Sequence, residues 1–219
     1  RRTAATRRVL LASAATIAFF GLIAWLVTSS PGWPVVRDSF FNLDEARQAW
    51  PSIIKGFGLN VVMFLIAEPL ILIVGALVAI VRGTKSAALF PLRLVAVGYT
   101  DLFRGIPTIL LVFLLALGVP ALNLTGLPIS LFFWATVALV LSYGAYVAEV
   151  FRAGIESVHP SQVASARALG LSEGQTMRHV VLPQAVRRVV PPLLNDFVSL
   201  QKDTALAGAV GVFEGLVVA

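Results

Sequence analysis

The sequence contains no cysteine, only two histidines and few charged residues. The absence of cysteine excludes disulfides and thiol chemistry. The two histidines, His159 and His179, have no third ligand at metal spacing, so no metal site is expected. Charged residues make up 13% of the chain and hydrophobic residues 58%, whereas about a quarter of the residues of a soluble domain are charged. The composition excludes an ordinary soluble domain and indicates an integral membrane protein.

Three apolar segments are long enough to cross a membrane as helices: 9–28, 59–81 and 131–149. A helix rises about 1.5 Å per residue, so about 20 residues span a hydrocarbon core of about 30 Å. Weaker apolar stretches run over 106–122 and 189–219. We therefore expect an all-α polytopic membrane protein with five visible spans.

The net charge of +6 is distributed unevenly along the chain. Basic residues cluster at 1–8, 82–93 and 152–188, whereas 29–58 carries balanced charges and 120–130 carries none. This alternation follows the positive-inside rule and places the N-terminus and the loop after the fourth span in the cytoplasm. It also argues against a nucleic-acid-binding role for the positive charge.

The N-terminal residues 1–57 are predicted to form an extra transmembrane helix and an external amphipathic segment. Within that segment, Asn42 and Glu45 resemble a capping box that opens a helix, and the second span is expected to begin near Leu59. The core is expected to occupy 58–219. Because five crossings leave the C-terminus outside, in the apolar run FEGLVVA, we expect a sixth span that returns beyond it.

The segment Gly83-Thr84-Lys85-Ser86 resembles the end of a phosphate-binding loop, but the first glycine of that motif is missing. The chain therefore has no nucleotide site of its own and is not expected to be an enzyme. Any ATP hydrolysis must take place on a partner.

The third span is interrupted, because Gly105 and Pro107 cannot extend a regular helix without loss of backbone hydrogen bonds. Arg104 precedes this break, and two interpretations stay open for it. Together with the free amides of the next half-helix, it could bind a substrate carboxylate in a bidentate contact. Alternatively, it could reach the interface as a positive anchor.

Glu68 lies deep in the second span, where an ionisable group is energetically costly and is a candidate for function. It could receive a cationic group of a substrate, or it could form a buried structural contact in protonated or paired form. Glu149 and Arg152, three residues apart near the end of the fourth span, are predicted to form a structural ion pair.

Polar residues recur with roughly helical spacing on the last visible span. They could line a translocation path; alternatively, Lys202 and Asp203 could form an internal ion pair. The residues are Asn195, Asp196, Ser199, Lys202, Asp203 and Thr204.

Residues 161–183 form a polar segment in an otherwise apolar chain. The pattern predicts a short helix, a turn at Gly170, a second helix opened by Ser172 and a stop at Leu182-Pro183. Pro191-Pro192 are then expected to open the last visible span. A small apolar face is predicted for the segment, suited to the groove of a partner protein or to the bilayer surface. Its residues are Ala166, Ala168, Leu169, Leu171 and Met177.

Several stretches carry a family resemblance. Residues 102–107 (LFRGIP) resemble "LFRGTP", and residues 146–155 resemble "AYxAEIFRGGI". Residues 182–185 and 200–206 (LQKDTAL) resemble "LPQA" and "LLKDTSL". Residues 164–183 have the spacing of the EAA loop of ABC-importer membrane subunits. The chain therefore resembles a permease subunit of the histidine/glutamine-type importers of polar amino acids.

The resemblance implies an ATP-driven importer of a glutamate/glutamine-like or basic amino acid that works by alternating access in the bacterial inner membrane. It implies two ABC ATPase subunits that carry ATP and Mg, a second permease subunit, identical or homologous, and an extracytoplasmic amino-acid-binding protein. A substrate path containing Arg104, Gly105 and Pro107 is expected, with the cytoplasmic coupling loop at 156–183. The coupling residues implied are Ala164, Ser165, Ala166, Arg167, Ala168, Leu169, Gly170 and Leu171.

The chain departs from the family pattern in places. Ala164 and Ser165 replace the first two residues of the EAA core, and Ile106 replaces a threonine. Two functions from other classes stay open from the residues alone. These are a gradient-driven secondary transporter or channel, and a membrane sensor subunit that binds ligand without transport.

Overall fold

A computed structural model of the chain describes residues 2–84 and 86–209, which form helices joined by turns and contain no strand. This confirms the all-α prediction. The last ten residues, including FEGLVVA, lie outside the described part. The α-helices are α1 (Arg2–Thr28), α2 (Trp33–Phe40), α3 (Leu43–Gly83), α4 (Phe90–Gly105), α5 (Thr108–Phe113), α6 (Val119–Ala121), α7 (Leu131–Glu156), α8 (Pro160–Ala168), α9 (Glu173–Thr176) and α10 (Leu182–Ala209).

Three helical stretches in the described residues are long and apolar enough to cross a membrane: Thr6–Thr28, Trp33–Gly83 and Leu131–Glu156. A fourth crossing is possible if the bent pair Ala87–Gly105 and Thr108–Ala121 counts as one span. The fifth predicted span extends past residue 209, so the number of five stays a prediction.

The chain divides into two compact units, residues 1–53 and 54–219. In the first unit, α1 exposes every side chain from Thr6 to Thr28. The start of α3 follows the predicted pattern, because the Asn42 side chain accepts hydrogen bonds from the backbone amides of Asp44 (3.1 Å) and Glu45 (3.3 Å). Such a cap satisfies amides that have no partner within the helix.

The helix that contains the second span begins before Leu59, because α3 is continuous from Leu43 to Gly83; the start of the membrane crossing near Leu59 stays a prediction. The amphipathic segment forms the first turns of the same helix. Gly56 and Gly58 lower the helix propensity of this region, but the capped start and the long apolar continuation outweigh that local preference.

In the second unit, α7 is the central helix. It packs against α3, α4, α5 and α10, and its buried positions include many small residues. Small side chains let helix backbones approach closely in a membrane protein. The largest fully buried side chains of the core are Met63, Ile71, Val112, Leu139, Val147 and Leu200.

Two sequence predictions about proline were wrong. Leu182-Pro183 does not stop the helix and Pro191-Pro192 do not open one, because α10 runs from Leu182 to Ala209 through all three prolines. A π turn over Met177–Val181 precedes Pro183 and shifts the hydrogen-bond register where the proline lacks an N–H. Burial of Ala185, Val189 and Leu200 holds α10 in place, so tertiary packing overrides local propensity.

Gly75 allows the close approach of α3 to α7. A Cβ atom at this position would lie 2.5 Å from Cγ1 of the buried Val147. We expect Gly75→Ala to lower the free energy of unfolding by about 1–3 kcal/mol, since overpacking forces neighbours to shift. The thermal midpoint of the detergent-solubilised protein measures this effect.

Gly98→Ala provides the matched control. Gly98 lies within α4, and a Cβ there meets nothing within 4 Å, so alanine should leave the thermal midpoint unchanged or raise it through better helix propensity. Equal midpoints for the two variants would contradict the proposed close contact between α3 and α7.

Candidate functional site

The break in the third span lies between α4 and α5. Ile106 adopts an extended conformation, and Pro107 caps α5. The chain therefore bends by 102° between the two segments. Pro107 has no N–H to continue the helix, and it disfavours a helical conformation at the preceding residue. A contact of 3.0 Å between the hydroxyls of Thr108 and Ser142 ties α5 to α7. The predicted interruption is therefore present.

The carboxylate of Glu149 lies about two turns before the end of α7, among three arginines. Its predicted partner Arg152 is 2.7 Å away, Arg82 of α3 is 2.5 Å away, and Arg104 is 3.6 Å away. We refer to these four residues as the Glu149 cluster. The Arg104 guanidinium also lies 5.7 Å from the ring centre of Tyr146 and is 42% exposed. This position fits the anchor interpretation of Arg104 better than a free carboxylate-binding group.

Two acidic side chains lie on α3 and α10 near the point where these helices pack together. Glu68 of α3 and Asp196 of α10 are both half-buried. Oδ2 of Asp196 is buried and has no hydrogen-bond partner among the described residues. The rings of Phe64 and Phe197 pack edge to face at 4.4 Å and hold α3 against α10 beside this pair.

Asp203 does not pair with Lys202, so that sequence alternative was wrong. The Tyr143 hydroxyl donates a hydrogen bond to Asp203 Oδ2 at 2.8 Å, whereas Lys202 is exposed. Adjacent residues on a helix point in different directions, about 100° apart at 3.6 residues per turn. Asp203 can therefore face α7 while Lys202 faces away from it. The buried Thr204 hydroxyl donates to the backbone carbonyl of Gln201.

The predicted polar face of α10 therefore divides into two faces. Asp196, Asp203 and Thr204 are directed into the packed unit, whereas Asn195, Ser199 and Lys202 are exposed. The exposed three follow an i, i+4, i+7 spacing and form one stripe. A polar stripe on a membrane helix is unfavourable against lipid and suits a water-filled path or another protein.

The segment 161–183 folds as predicted up to Thr176. Helix α8 ends at Ala168, and Gly170 just beyond it has φ +86°, with hydrogen bonds from Gly170 N to Arg167 O and from Leu171 N to Ala166 O. These are the two bonds of the Schellman motif, which glycine favours at the left-handed position. Ser172 then opens α9 with a complete capping box through Gln175. Both turns are fixed by local hydrogen bonds.

The surface of this segment differs in one respect from the predicted apolar face. Leu169 is 82% exposed and Met177 is 39% exposed, but Ala166 is directed inward and is 5% exposed. Ala166 packs inward because α8 rests on the following turns of the same segment. Of the remaining predicted coupling residues, Leu171 is half-buried, and the others are exposed: Ala164, Ser165, Arg167, Ala168 and Gly170.

A cleft of about 410 Å³ separates the segment from the ends of α3 and α7. An ion pair of 3.1 Å between Arg167 and Glu173 lies at this cleft. The buried hydroxyl of Thr176 also lines it and has no hydrogen-bond partner among the described residues. Within the described part of the chain, no group of His, Cys, Asp or Glu side chains could hold a metal ion.

The sequence analysis did not identify two residues that take part in these polar contacts. Arg82 has the position of an ordinary positive-inside residue at the end of a span, so its contact with Glu149 depends on the tertiary structure. Tyr143 could have been noticed, because Ser142 and Tyr143 form a polar pair inside the apolar run of α7. A hydroxyl at such a depth needs a partner.

Comparison with known proteins shows which family this chain resembles. Residues 71–218 match the sequence profile described as "Binding-protein-dependent transport system inner membrane component". The chain is similar to the probable amino-acid ABC transporter permease protein YckA of Bacillus subtilis (strain 168), with 34% identity over 175 residues, covering 80% of this chain and 74% of YckA. These matches confirm the resemblance carried by the sequence motifs.

Two further relatives agree. The probable glutamine ABC transporter permease protein GlnM of Bacillus subtilis (strain 168) is 38% identical over 138 residues, covering 63% of this chain and 61% of GlnM. A solved structure described as "Crystal structure of an amino acid ABC transporter with histidines" has a TM-score of 0.67 and 29% identity. It covers 76% of this chain and 75% of the solved chain.

The left-handed turn at Gly170 is expected to contribute to the local stability of the segment 161–183. Gly170→Ala should cost about 1 kcal/mol of local stability, because a Cβ atom is strained in this conformation. We expect faster amide hydrogen exchange over 160–176 in the variant. Gly174→Ala is the control, since Gly174 lies within α9 without a positive φ and a Cβ there meets nothing within 4 Å. Equal exchange in both variants would contradict this account of the turn.

Proposed function

Since this chain belongs to the family of binding-protein-dependent transport system inner membrane components, as an amino-acid ABC transporter permease subunit, we propose that it moves a polar amino acid inward by alternating access. When the partner subunits bind ATP, they close against each other, and this movement opens the path to the outside. Hydrolysis then returns the path to the inward state. The chain itself is a transport component rather than an enzyme.

The segment 161–183 is the observation that carries this proposal. It presents Leu169 almost fully exposed on a short helix whose end is fixed by the Gly170 turn. A capped helix with an exposed apolar side chain suits the groove of a partner protein. We propose that two ABC ATPase subunits, carrying ATP and Mg, provide such grooves below a pair of permease subunits. We refer to residues 156–183 as the coupling loop from here on.

The distribution of charge supports a topology for this arrangement. Basic clusters at 1–8, 82–93 and 152–188 favour the cytoplasm for these segments. We propose a bacterial inner-membrane location with the N-terminus and the coupling loop on the cytoplasmic side. The opposite side then faces an extracytoplasmic amino-acid-binding protein, which delivers the substrate.

The exposed stripe of Asn195, Ser199 and Lys202 supports a second permease subunit, identical or homologous. The polar face of α10 needs water or protein rather than lipid beside it. We propose that two such helices face each other across the path. The bend at Gly105 and Pro107 adds a flexible boundary to the same path.

The acidic groups on α3 and α10 favour the cationic part of a substrate. Among the described residues, neither Glu68 nor Asp196 forms an ion pair, while Arg104 is held beside Glu149. An unpaired pair of carboxylates suits an ammonium or guanidinium group. We propose that Glu68 and Asp196 receive the cationic group of the amino acid, which favours a basic substrate over an acidic one.

Leu169→Asp tests the docking surface. We expect the variant to bind the ATPase subunits about tenfold more weakly or worse, since full burial of a leucine contributes about 1.5–3 kcal/mol. ATP-driven uptake in proteoliposomes should fall in parallel. The assay uses the complex of permease, ATPase and binding protein.

Leu124→Asp is the matched control, because Leu124 is exposed on the loop between α6 and α7 and should not affect ATPase binding. Wild-type affinity in the Leu169→Asp variant would rule out the docking surface. Uptake that proceeds without ATP would favour a gradient-driven transporter, and substrate binding without uptake would favour a sensor.

Glu68→Gln tests the path. We expect the maximum rate of uptake to fall about tenfold, because a hydrogen bond to a charged group contributes about 1.5–3 kcal/mol. Glu45→Gln makes the same change at the exposed start of α3 and should transport normally. A Glu68→Gln variant that transports at the rate of the wild type would remove Glu68 from the path.

A further inference from the structure

One carboxylate forms ion pairs with arginines from three helices about two turns before the end of α7, where the coupling loop begins. In the Glu149 cluster, Oε1 of Glu149 lies 2.5 Å from Arg82 and 3.6 Å from Arg104, and Oε2 lies 2.7 Å from Arg152. Arg82 and Arg104 each lie one residue before the end of α3 and α4, and Arg152 lies about one turn before the end of α7. Both oxygens are therefore occupied, and the last turns of α3 and α4 are joined to α7 at one point.

The inner part of the cluster is shielded from solvent. The side chains of Glu149 and Arg82 are 15% and 13% exposed, and Arg82 also donates to the Thr100 hydroxyl at 2.9 Å. Exposed ion pairs contribute little to stability, but removal of one partner of a shielded pair leaves an uncompensated charge. The contacts of Glu149 thus constrain how α3, α4 and α7 can move relative to each other.

The cluster is connected to the coupling loop by a short link. Only Ser157 and Val158 separate the end of α7 from His159, whose side chain caps α8. Val158 is buried, and the Arg188 guanidinium donates to the backbone carbonyl of Ser157. The link between α7 and α8 is therefore short, and it is held by a hydrogen bond and by a buried side chain.

The cluster also reaches the break in the third span. The Tyr146 hydroxyl donates to the backbone carbonyl of Arg104 at 3.2 Å, and the Arg104 guanidinium lies over the Tyr146 ring. The next residue, Gly105, ends α4 and begins the 102° bend. Arg104 therefore joins the last turn before the bend to α7 through its backbone and its side chain.

From this geometry we propose that Glu149 is a positioning residue that transmits movement of the coupling loop to the bend of the third span. When the ATPase subunits displace α8, the end of α7 moves with it, and the Glu149–Arg104 contact makes the last turn of α4 follow. Arg104 acts through this contact rather than on the substrate. The inference rests on the proposed function, since it requires an ATP-driven complex.

Glu149→Gln in the reconstituted complex tests the inference. We expect ATP hydrolysis to continue, while the amount of amino acid taken up per ATP falls about tenfold, as expected for residues that couple distant sites. The KM for uptake should not change, because no substrate contact is lost. Glu149→Asp keeps the charge and should restore part of the uptake per ATP.

Arg104→Gln provides a second route if Glu149→Gln fails to fold. Arg104 is substantially exposed, so the variant should fold, and it should show the same loss of uptake per ATP. The double variant should lose no more than either single one, because the two residues act through one contact. Glu45→Gln is the control: it makes the same change on an exposed side chain at the start of α3 and leaves all three contacts of Glu149 in place.

Five results would overturn the inference. Uptake per ATP in Glu149→Gln could equal that of the wild type, or Glu45→Gln could show an equal loss. ATP hydrolysis and uptake could fall together in both Glu149→Gln and Arg104→Gln, which would indicate a purely structural role. The KM for uptake could instead rise in Arg104→Gln, with the effects of Arg104→Gln and Glu149→Gln multiplying in the double variant. This result would indicate that Arg104 contacts the substrate. A wild-type complex without ATP-driven uptake would overturn the proposed function itself, and the inference with it.

Discussion

The close packing of α7 against its neighbours brings together the polar groups that join α7 to α3, α4, α5 and α10. Small residues on α7, and Gly75 facing it from α3, let the backbones approach so that short polar side chains can meet. Tyr143 reaches Asp203 on α10, Ser142 reaches Thr108 on α5, and Glu149 reaches the arginines at the ends of α3 and α4. A wider spacing between these helices would leave these polar groups without partners in an apolar environment.

The second constraint is that irregular backbone in a membrane protein needs protein or water around it. The break at Ile106 and Pro107 is held by α7 on one side, through Thr108 and Tyr146. It is therefore a boundary between two rigid pieces rather than a loose loop. A transport path that changes its access needs a boundary of this kind, because packed helices move as units and bend only where their hydrogen bonds are already interrupted.

Features with a local cause could be predicted from the sequence. The Asn42 cap, the break before Pro107, the left-handed turn at Gly170 and the capping box at Ser172 each depend on a few neighbouring residues. The family also followed from short motifs in a fixed order. Of the candidate site, the sequence indicated which residues are polar and in which spans they lie.

Features that depend on contacts between distant segments could not be predicted. Pro183 reads as a helix stop, but packing of α10 on α7 carries the helix through it. The inward position of Ala166 and the pairing of Asp203 with Tyr143 depend on which side of each helix meets a neighbour. The contact between Glu149 and Arg82 joins residues 67 positions apart, and no local pattern indicates it.

Direct measurement of ATP-driven uptake tests the central claim. The complex is reconstituted in proteoliposomes with residues 161–183 either intact or replaced by a Gly/Ser linker of equal length. The account predicts amino-acid uptake that requires ATP and is lost with the linker, whereas uptake that survives the replacement or proceeds without ATP would contradict it.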